Sequence, residues 1–322
     1  MRRSERIDGF VTEIWRWFDR HKRQLPWRDL ADVDDTQRAY KIVVSEIMLQ
    51  QTQVPRVIPT YRRFLDIFPT LNDLADATDA QIIRAWRGMG YNSRALRLRD
   101  AARTIRTLHA GIFPKDMDAL LSIKGIGHYT AAAVRNFAFY LPTPCIDTNI
   151  RRILHRVFYG PERADGTWPR DDAFLLKLAD DVLTVAMQHP ERTSADWHAA
   201  LMDFGSIVCT KRSPKWDQCP LAAKGLCLAA YRVPMLKRTK KKAEPGRHVG
   251  STFVPNRIFR GRIVEALRDA PKGLTLEAIG QHVCIDWSPS EHDEWLRSLL
   301  SALVRDRLVR SNEKKREIYA LP

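Results

Sequence analysis

What this 322-residue sequence lacks excludes much of what it could be. It has no apolar run near the roughly 20 residues a membrane-spanning helix needs, so no membrane partner is expected. The opening MRRSERIDGFVTEIWRWFDR is basic and amphipathic, but Asp8, Glu13 and Arg16 interrupt the apolar core that a signal peptide requires. The chain is expected to be soluble, cytoplasmic and monomeric. Cysteine is scarce: five residues, an odd number, make no disulfide framework, although three crowd into residues 209–227 and suggest metal or cluster chemistry. Period-two alternation is rare before residue 250, which argues against a sheet-rich body. Acidic residues are outnumbered, 38 Asp and Glu against 53 Lys and Arg, and the formal charge of +15 attracts polyanions. Nucleic acid is the partner class this favours.

What is present is mostly helical pattern. Phe10, Ile14 and Phe18 share one face of residues 9–20, Val57, Tyr61, Phe64 and Phe68 line up further on, and Leu98, Ala101, Ile105 and Leu108 form a third stripe. The spacing predicts a mainly α domain over residues 1–230. A basic linker is expected at 231–252, where five basic residues between Lys237 and Lys242 precede Pro245, Gly246 and Gly250. Residues 253–322 read as three helices and a terminal hairpin, a small winged helix-turn-helix whose wing carries Lys314, Lys315 and Arg316. Such a module binds DNA or docks protein.

Three segments carry chemistry. In LLSIKGIGHYTAAAV a helix ends at Ile123, Gly125 and Gly127 make the turn, and a new helix starts near His128. Glycines let the backbone approach a ligand, and the free amides of a helix start receive a phosphate. In CIDTNIRRIL, Asp147 and Asn149 open a helix, and Asp147 reads equally as an ordinary N-cap. In YKIVVSEIMLQQTQV, Glu46 sits among Val43, Val44, Ile47 and Met48; apolar surroundings disfavour its charged form, so it can hold a proton at neutral pH. A protonated Glu46 and an ionised Asp147 would make an acid and stabiliser pair.

LPWR at 25–28, SEIMLQQTQV at 45–54, GMGYNSRALRL at 88–98, GIGHYTAAA at 125–133, DTNIRRIL at 147–154 and ALMDFGSIVCT at 200–210 together resemble the adenine DNA glycosylase family of the helix-hairpin-helix superfamily, which also holds endonuclease III. The resemblance runs over residues 8–230 and implies a two-lobed helix-hairpin-helix glycosylase fold acting on mismatched or damaged double-stranded DNA near the nucleoid. It implies that Glu46 protonates the departing adenine and that Asp147 stabilises the cationic sugar, the two converging on one extruded base. Asn149 would orient Asp147 or a phosphate, with Tyr129 supporting the cluster. Trp27, Arg28 and Leu49 would line the base pocket. Gln51 and Tyr91 would wedge into the duplex, and Gly125, Gly127 and Thr130 would hold DNA. Endonuclease III has a Schiff-base lysine where Tyr129 stands; a phenol forms no Schiff base, which implies a monofunctional enzyme.

The sequence also departs from the family. A [4Fe–4S] cluster is usually held there by four cysteines spaced C-x6-C-x2-C-x5-C. Here Cys209 and Cys219 match the first and third, Trp216 replaces the second, and Cys227 comes two residues late. The loop is expected to fold without metal, Trp216 plugging the space; the alternative is that Cys209, Cys219 and Cys227 hold a labile [4Fe–4S] cluster with an outside ligand. Members of the family usually carry a Nudix-like domain after this point, and residues 253–322 read as too short and too helical to be one. Asn92 stands where a second tyrosine is common, and Thr148 where glycine is frequent. A thymine or uracil mismatch glycosylase of the same superfamily, or a non-catalytic DNA-binding relic, remains the alternative.

Overall fold

The computed structural model describes residues 1–31, 34–232, 234, 244–312 and 317–322. Twelve α-helices and one 3-10 turn come first: α1 (Arg3–His21), α2 (Asp35–Leu49), α3 (Val54–Ile67), α4 (Leu71–Asp76), α5 (Asp79–Ala85), α6 (Ser93–Leu108), α7 (Met117–Ser122), α8 (His128–Ala138), α9 (Thr148–Phe158), α10 (Asp172–Ala186), α11 (Ser194–Ile207), the turn at Trp216–Gln218, and α12 (Pro220–Ala223). No strand occurs before residue 246 among the described residues. The chain packs into two compact units that interleave along the sequence: residues 1–43, 113–122 and 126–240 in one, and 44–112, 123–125 and 241–322 in the other. This grouping differs from the linear division expected at 230 and 252.

In the first unit α1 is amphipathic as its spacing demands, and Phe10, Ile14 and Phe18 are buried against α9, α10 and α11. Trp197 of α11 meets Phe10 and Trp15 edge-on, at ring-centroid separations of 5.9 and 5.2 Å. Burying aromatic faces this way contributes a few kcal/mol each, roughly 1.5–3 per fully buried large side chain.

In the second unit, Val57, Tyr61, Phe64 and Phe68 are all buried, and Phe64 packs edge-on against Trp86. Threonine caps start the short helices: Thr70 accepts from the Asp73 amide and Thr78 from the Gln81 amide, each closing a capping box. Leu98, Ala101 and Ile105 of α6 are buried, but Leu108 is 70% exposed, a correction to the expected stripe. Leu108 is the last residue of α6, so the face that buries Ile105 has no partner one turn on.

The C-terminal part of this unit holds β1 (Gly246–Val249), β2 (Thr252–Pro255), α13 (Asn256–Arg268), β3 (Leu274–Thr275), α14 (Leu276–Val283), α15 (Pro289–Arg305), β4 (Arg310–Asn312) and β5 (Ile318–Ala320). The last three strands form an antiparallel sheet in the order β3-β5-β4, and α13, α14 and α15 precede the β4–β5 pair in sequence. Lys237, Arg238, Lys240, Lys241 and Lys242 of the basic stretch, and Lys314, Lys315 and Arg316 of the expected wing, lie outside the described residues. The linker reading is corrected at its end: β1 and β2 pair with His248 opposite Phe253 and Val249 opposite Thr252. Gly250 takes φ 57° in the two-residue turn, and a Cβ on Gly246 would stand 2.5 Å from the Val254 carbonyl oxygen.

Candidate active site

Asp147 is the N-cap of α9, with its Oδ1 accepting the Ile150 amide at 2.6 Å. The capping role read from the sequence is therefore present, on the side chain the family resemblance singles out. Its Oδ2 accepts from Nδ2 of Asn149 at 2.9 Å. Which end of the Asn149 amide faces Asp147 is fixed from behind, because Asn149 Oδ1 accepts from Arg152 Nη2 at 2.7 Å. Arg152 in turn donates to the carbonyls of Cys209 and Gly205, at 2.6 and 2.7 Å. A buried guanidinium thus orients an amide that orients a carboxylate.

Gly205 of α11 makes room for this chain. A Cβ there would stand 2.6 Å from Asn149 Cβ, closer than side-chain carbons approach, so no larger residue fits without moving Asn149. Neither Arg152 nor Gly205 was assigned a role from sequence. Both lie in quoted motifs, but their relation crosses more than fifty residues of chain.

Burial pushes the Asp147 pKa above the ordinary carboxylate range, against the Ile150 amide, the Asn149 amide and the Arg152 charge, which favour the anion. This corrects the expectation of a carboxylate simply left ionised by its setting. The same exclusion of water strengthens the field of the anion when it forms.

Trp27 is buried and Arg28 nearly so, and both line a cavity of about 230 Å³ in the first unit with Ile42, Phe137 and Tyr140. Arg28 is held in a two-pronged pair by the fully buried Asp203, with Nη1 to Oδ2 at 2.7 Å and Nη2 to Oδ1 at 2.8 Å. Arg23 shares that carboxylate through its Nε at 2.6 Å and its amide at 3.0 Å. Asp203 went unassigned in the sequence, although an acid inside the apolar run of α11 was its signal.

The hairpin forms where expected. Gly125 adopts φ 101°, in the region glycine favours, and Gly127 caps α8 without any side-chain bond to the first-turn amides. The amides of a helix start point outward along the axis, the arrangement that receives a phosphate. Thr130 is buried, and Tyr129 is half-buried against the core of the first unit.

In the second unit Glu46 is buried in the last turn of α2, and Leu49 ends that helix half-buried. Gln51 and Tyr91 are exposed and share one groove, a cavity of about 770 Å³ closed on its other side by Arg257, Ile258 and Gly261 of α13. Asn92 is buried and accepts at 2.9 Å from Arg268, whose Nε also reaches the Ile83 carbonyl at 2.9 Å. The departure at position 92 thus coincides with an anchor for α13.

Cys209, Cys219 and Cys227 are all buried and free. Burial pushes the Cys219 thiol up to about 11 and the Cys227 thiol up to about 12. Cys227 donates to the Arg156 carbonyl at 3.4 Å, and Trp216 packs beside Tyr231. Among the described residues no three His, Cys, Asp or Glu side chains gather as a metal site. These residues do not fit a four-thiolate cluster.

Comparison with known proteins agrees with the geometry. The model of the HhH-GPD superfamily of base excision DNA repair proteins matches residues 44–167. The adenine DNA glycosylase of Mycolicibacterium smegmatis is 34% identical over 291 residues, which cover 90% of each chain. That of Mus musculus is 37% identical over 244 residues, covering 75% of this chain and 45% of its own. A thermostable thymine-DNA glycosylase superposes with a TM-score of 0.60 at 27% identity, over 71% of this chain and 98% of that one. A trapped endonuclease III–DNA covalent intermediate gives 0.54 at 19% identity, over 72% and 99%, and bears on the fold alone. With a relative at 34% identity along nine tenths of both chains, and its motifs assembled on a helix-hairpin-helix glycosylase fold, the chain belongs to the adenine DNA glycosylase family.

Proposed function

We propose that the chain is a monofunctional base-excision-repair glycosylase, acting as a monomer on the DNA of the cytoplasm. It hydrolyses the N-glycosidic bond of adenine mispaired with 8-oxoguanine or guanine. The observation that carries the reading is the Arg152–Asn149–Asp147 chain, which aims a half-buried carboxylate with both oxygens already hydrogen-bonded.

The extruded adenine takes a proton from Glu46 and leaves with the glycosidic electron pair, so positive charge develops on the sugar. The Asp147 anion opposes that charge, and its fixed donors mean it does not reorganise as the charge forms. Water then adds to the cationic sugar and gives up a proton to the Glu46 carboxylate, which leaves an abasic site and restores the acid. Trp27, Arg28 and Leu49 are assigned to the base pocket. Gln51 and Tyr91 are assigned to the space the base vacates, and Gly125, Gly127 and Thr130 to a phosphate. Tyr129 offers no amine, so the backbone stays intact. Three cysteines in place of four, with Trp216 half-buried at the position of the missing one, support a protein that works without an iron–sulfur cluster.

The test is a panel of duplexes holding adenine opposite 8-oxoguanine, guanine or thymine, and thymine or uracil opposite guanine, treated with hot alkali after incubation. Alkali-labile sites at adenine opposite 8-oxoguanine or guanine are expected. Cleavage confined to thymine or uracil would transfer the reading to a pyrimidine mismatch glycosylase. Release from none would leave only a DNA-binding relic.

A further inference from the structure

The side chain of Arg94, second residue of α6, is buried and gathers six oxygens, none of them a carboxylate. Nη1 donates to the carbonyls of Ile47, Met48 and Gln50, at 2.9, 3.1 and 2.5 Å. Nη2 donates to the carbonyls of Met89 and Gly90, at 3.1 and 3.2 Å, and to Thr52 Oγ1 at 3.2 Å. Two of these acceptors matter more than the rest: Gln50 O and Gly90 O belong to the peptide groups that lead directly into Gln51 and Tyr91. Both of those residues adopt left-handed backbone, φ 54° and 44°, which residues other than glycine rarely take. One cation therefore holds the entrance to two unusual conformations that come from turns forty residues apart in sequence. The Tyr91 ring also lies near the guanidinium, 5.7 Å from its carbon.

We infer that Arg94 is the positioning residue for duplex entry: it fixes Gln51 and Tyr91 relative to each other so that they enter the base stack as one unit. The inference rests on the reading that these two residues fill the space left by the extruded base. A guanidinium suits this task because its planar fork offers donors on two sides, toward the end of α2 and toward the Met89–Gly90 turn. A lysine offers three donors at a single point and cannot bridge both turns. Burial among carbonyls pushes the Arg94 pKa down to about 10, which still leaves it cationic at neutral pH.

The test compares wild type, Arg94→Lys and the double variant Gln51→Ala/Tyr91→Ala in the full chain. Two readouts are taken: the fluorescence rise of 2-aminopurine placed opposite guanine, which reports unstacking, and single-turnover adenine release. Release is measured from adenine opposite guanine and from adenine in a one-nucleotide bulge, where it is already unpaired. Arg94→Lys is expected to lose most of the fluorescence rise and about tenfold or more in release from the paired adenine, the effect of losing hydrogen bonds to a charged group. Release from the bulge should change by less than about threefold, and Arg94→Lys should add nothing in the double-variant background. Equal losses on both substrates, or an intact fluorescence rise, would overturn the inference. If Arg94→Lys shows no cooperative melting, Thr52→Val removes one acceptor at a half-buried position and carries the same comparison with the same signs. Should the double variant itself keep the fluorescence rise, the assignment of Gln51 and Tyr91 fails and the inference falls with it. Should only Arg94→Lys keep it, the inference fails alone.

Discussion

Asn149 donates to Asp147 at 2.9 Å with an amide that Arg152 has already turned to face it. The carboxylate is therefore aimed, and its anion stabilised, by an amide whose other end is held by Arg152. Removing that donor by Asn149→Ala takes away one of the bonds that favour the anion, so the raised Asp147 pKa rises further. Base release requires the anion and is lost as pH falls through that pKa. We expect a rate loss of about tenfold or more near neutrality, and an acid limb displaced to higher pH, in single-turnover rates measured against pH. An unmoved acid limb would separate Asn149 from Asp147.

Burial of Asp147 also has a signature in stability. Its folded-state pKa lies above the unfolded value, so its protonated form favours folding. That contribution is fully present below the ordinary carboxylate range and is lost as pH rises through the raised value. Asp147→Asn cannot ionise. The difference in Tm between variant and wild type should therefore shift in the variant's favour as pH rises from about 4 to 7. A flat difference would mean that Asp147 is ionised in the fold at no cost.

Gly205→Ala tests the space behind Asn149. Alanine in a helix interior is ordinarily about 0.5–1 kcal/mol better than glycine, but here the new methyl meets Asn149 Cβ at 2.6 Å. Overpacking of this kind costs roughly 1–3 kcal/mol. We expect a lowered Tm, beyond any change from a control alanine at half-buried Gly261, where a Cβ meets nothing, together with a drop in base release.

Asn92→Ala strips the buried Arg268 guanidinium of one acceptor, at its Nη2, while Glu265 and the Ile83 carbonyl stay in place, so the cost is roughly 1–3 kcal/mol. Hydrogen exchange should show loosening of α13 in this variant. Unchanged protection there would mean that Arg87 with Asp269, and Arg307 with Asp100, suffice to hold the C-terminal elements.

For the cysteine loop, protein purified without oxygen should carry less than one iron per chain. Alkylation of Cys219 and Cys227 should be slow until the protein unfolds, since both thiols are buried and raised well above their ordinary value. Four irons per chain would overturn the metal-free reading.

The helical body, the glycine turn and the Asp147 cap were legible because each is local: periodicity, a Gly-x-Gly turn and an Asp before a helix span a few residues. The arrangements that give these residues their setting were not. Arg152 meets the Gly205 carbonyl, and Arg94 meets Ile47, through contacts that only tertiary packing creates. The β1–β2 hairpin was within reach, since Gly250–Ser251 between alternating residues is a two-residue turn signal, but the basic stretch before it dominated the reading. Leu108 misled for the opposite reason: a stripe shows which face is apolar, not how far its partner extends.

The most direct test is adenine release by Asp147→Asn on a duplex with adenine opposite 8-oxoguanine, measured beside wild type under single turnover, with DNA binding followed in parallel. The account predicts free adenine and an alkali-labile site from wild type, and binding without release from the variant. Undiminished release by Asp147→Asn would contradict it.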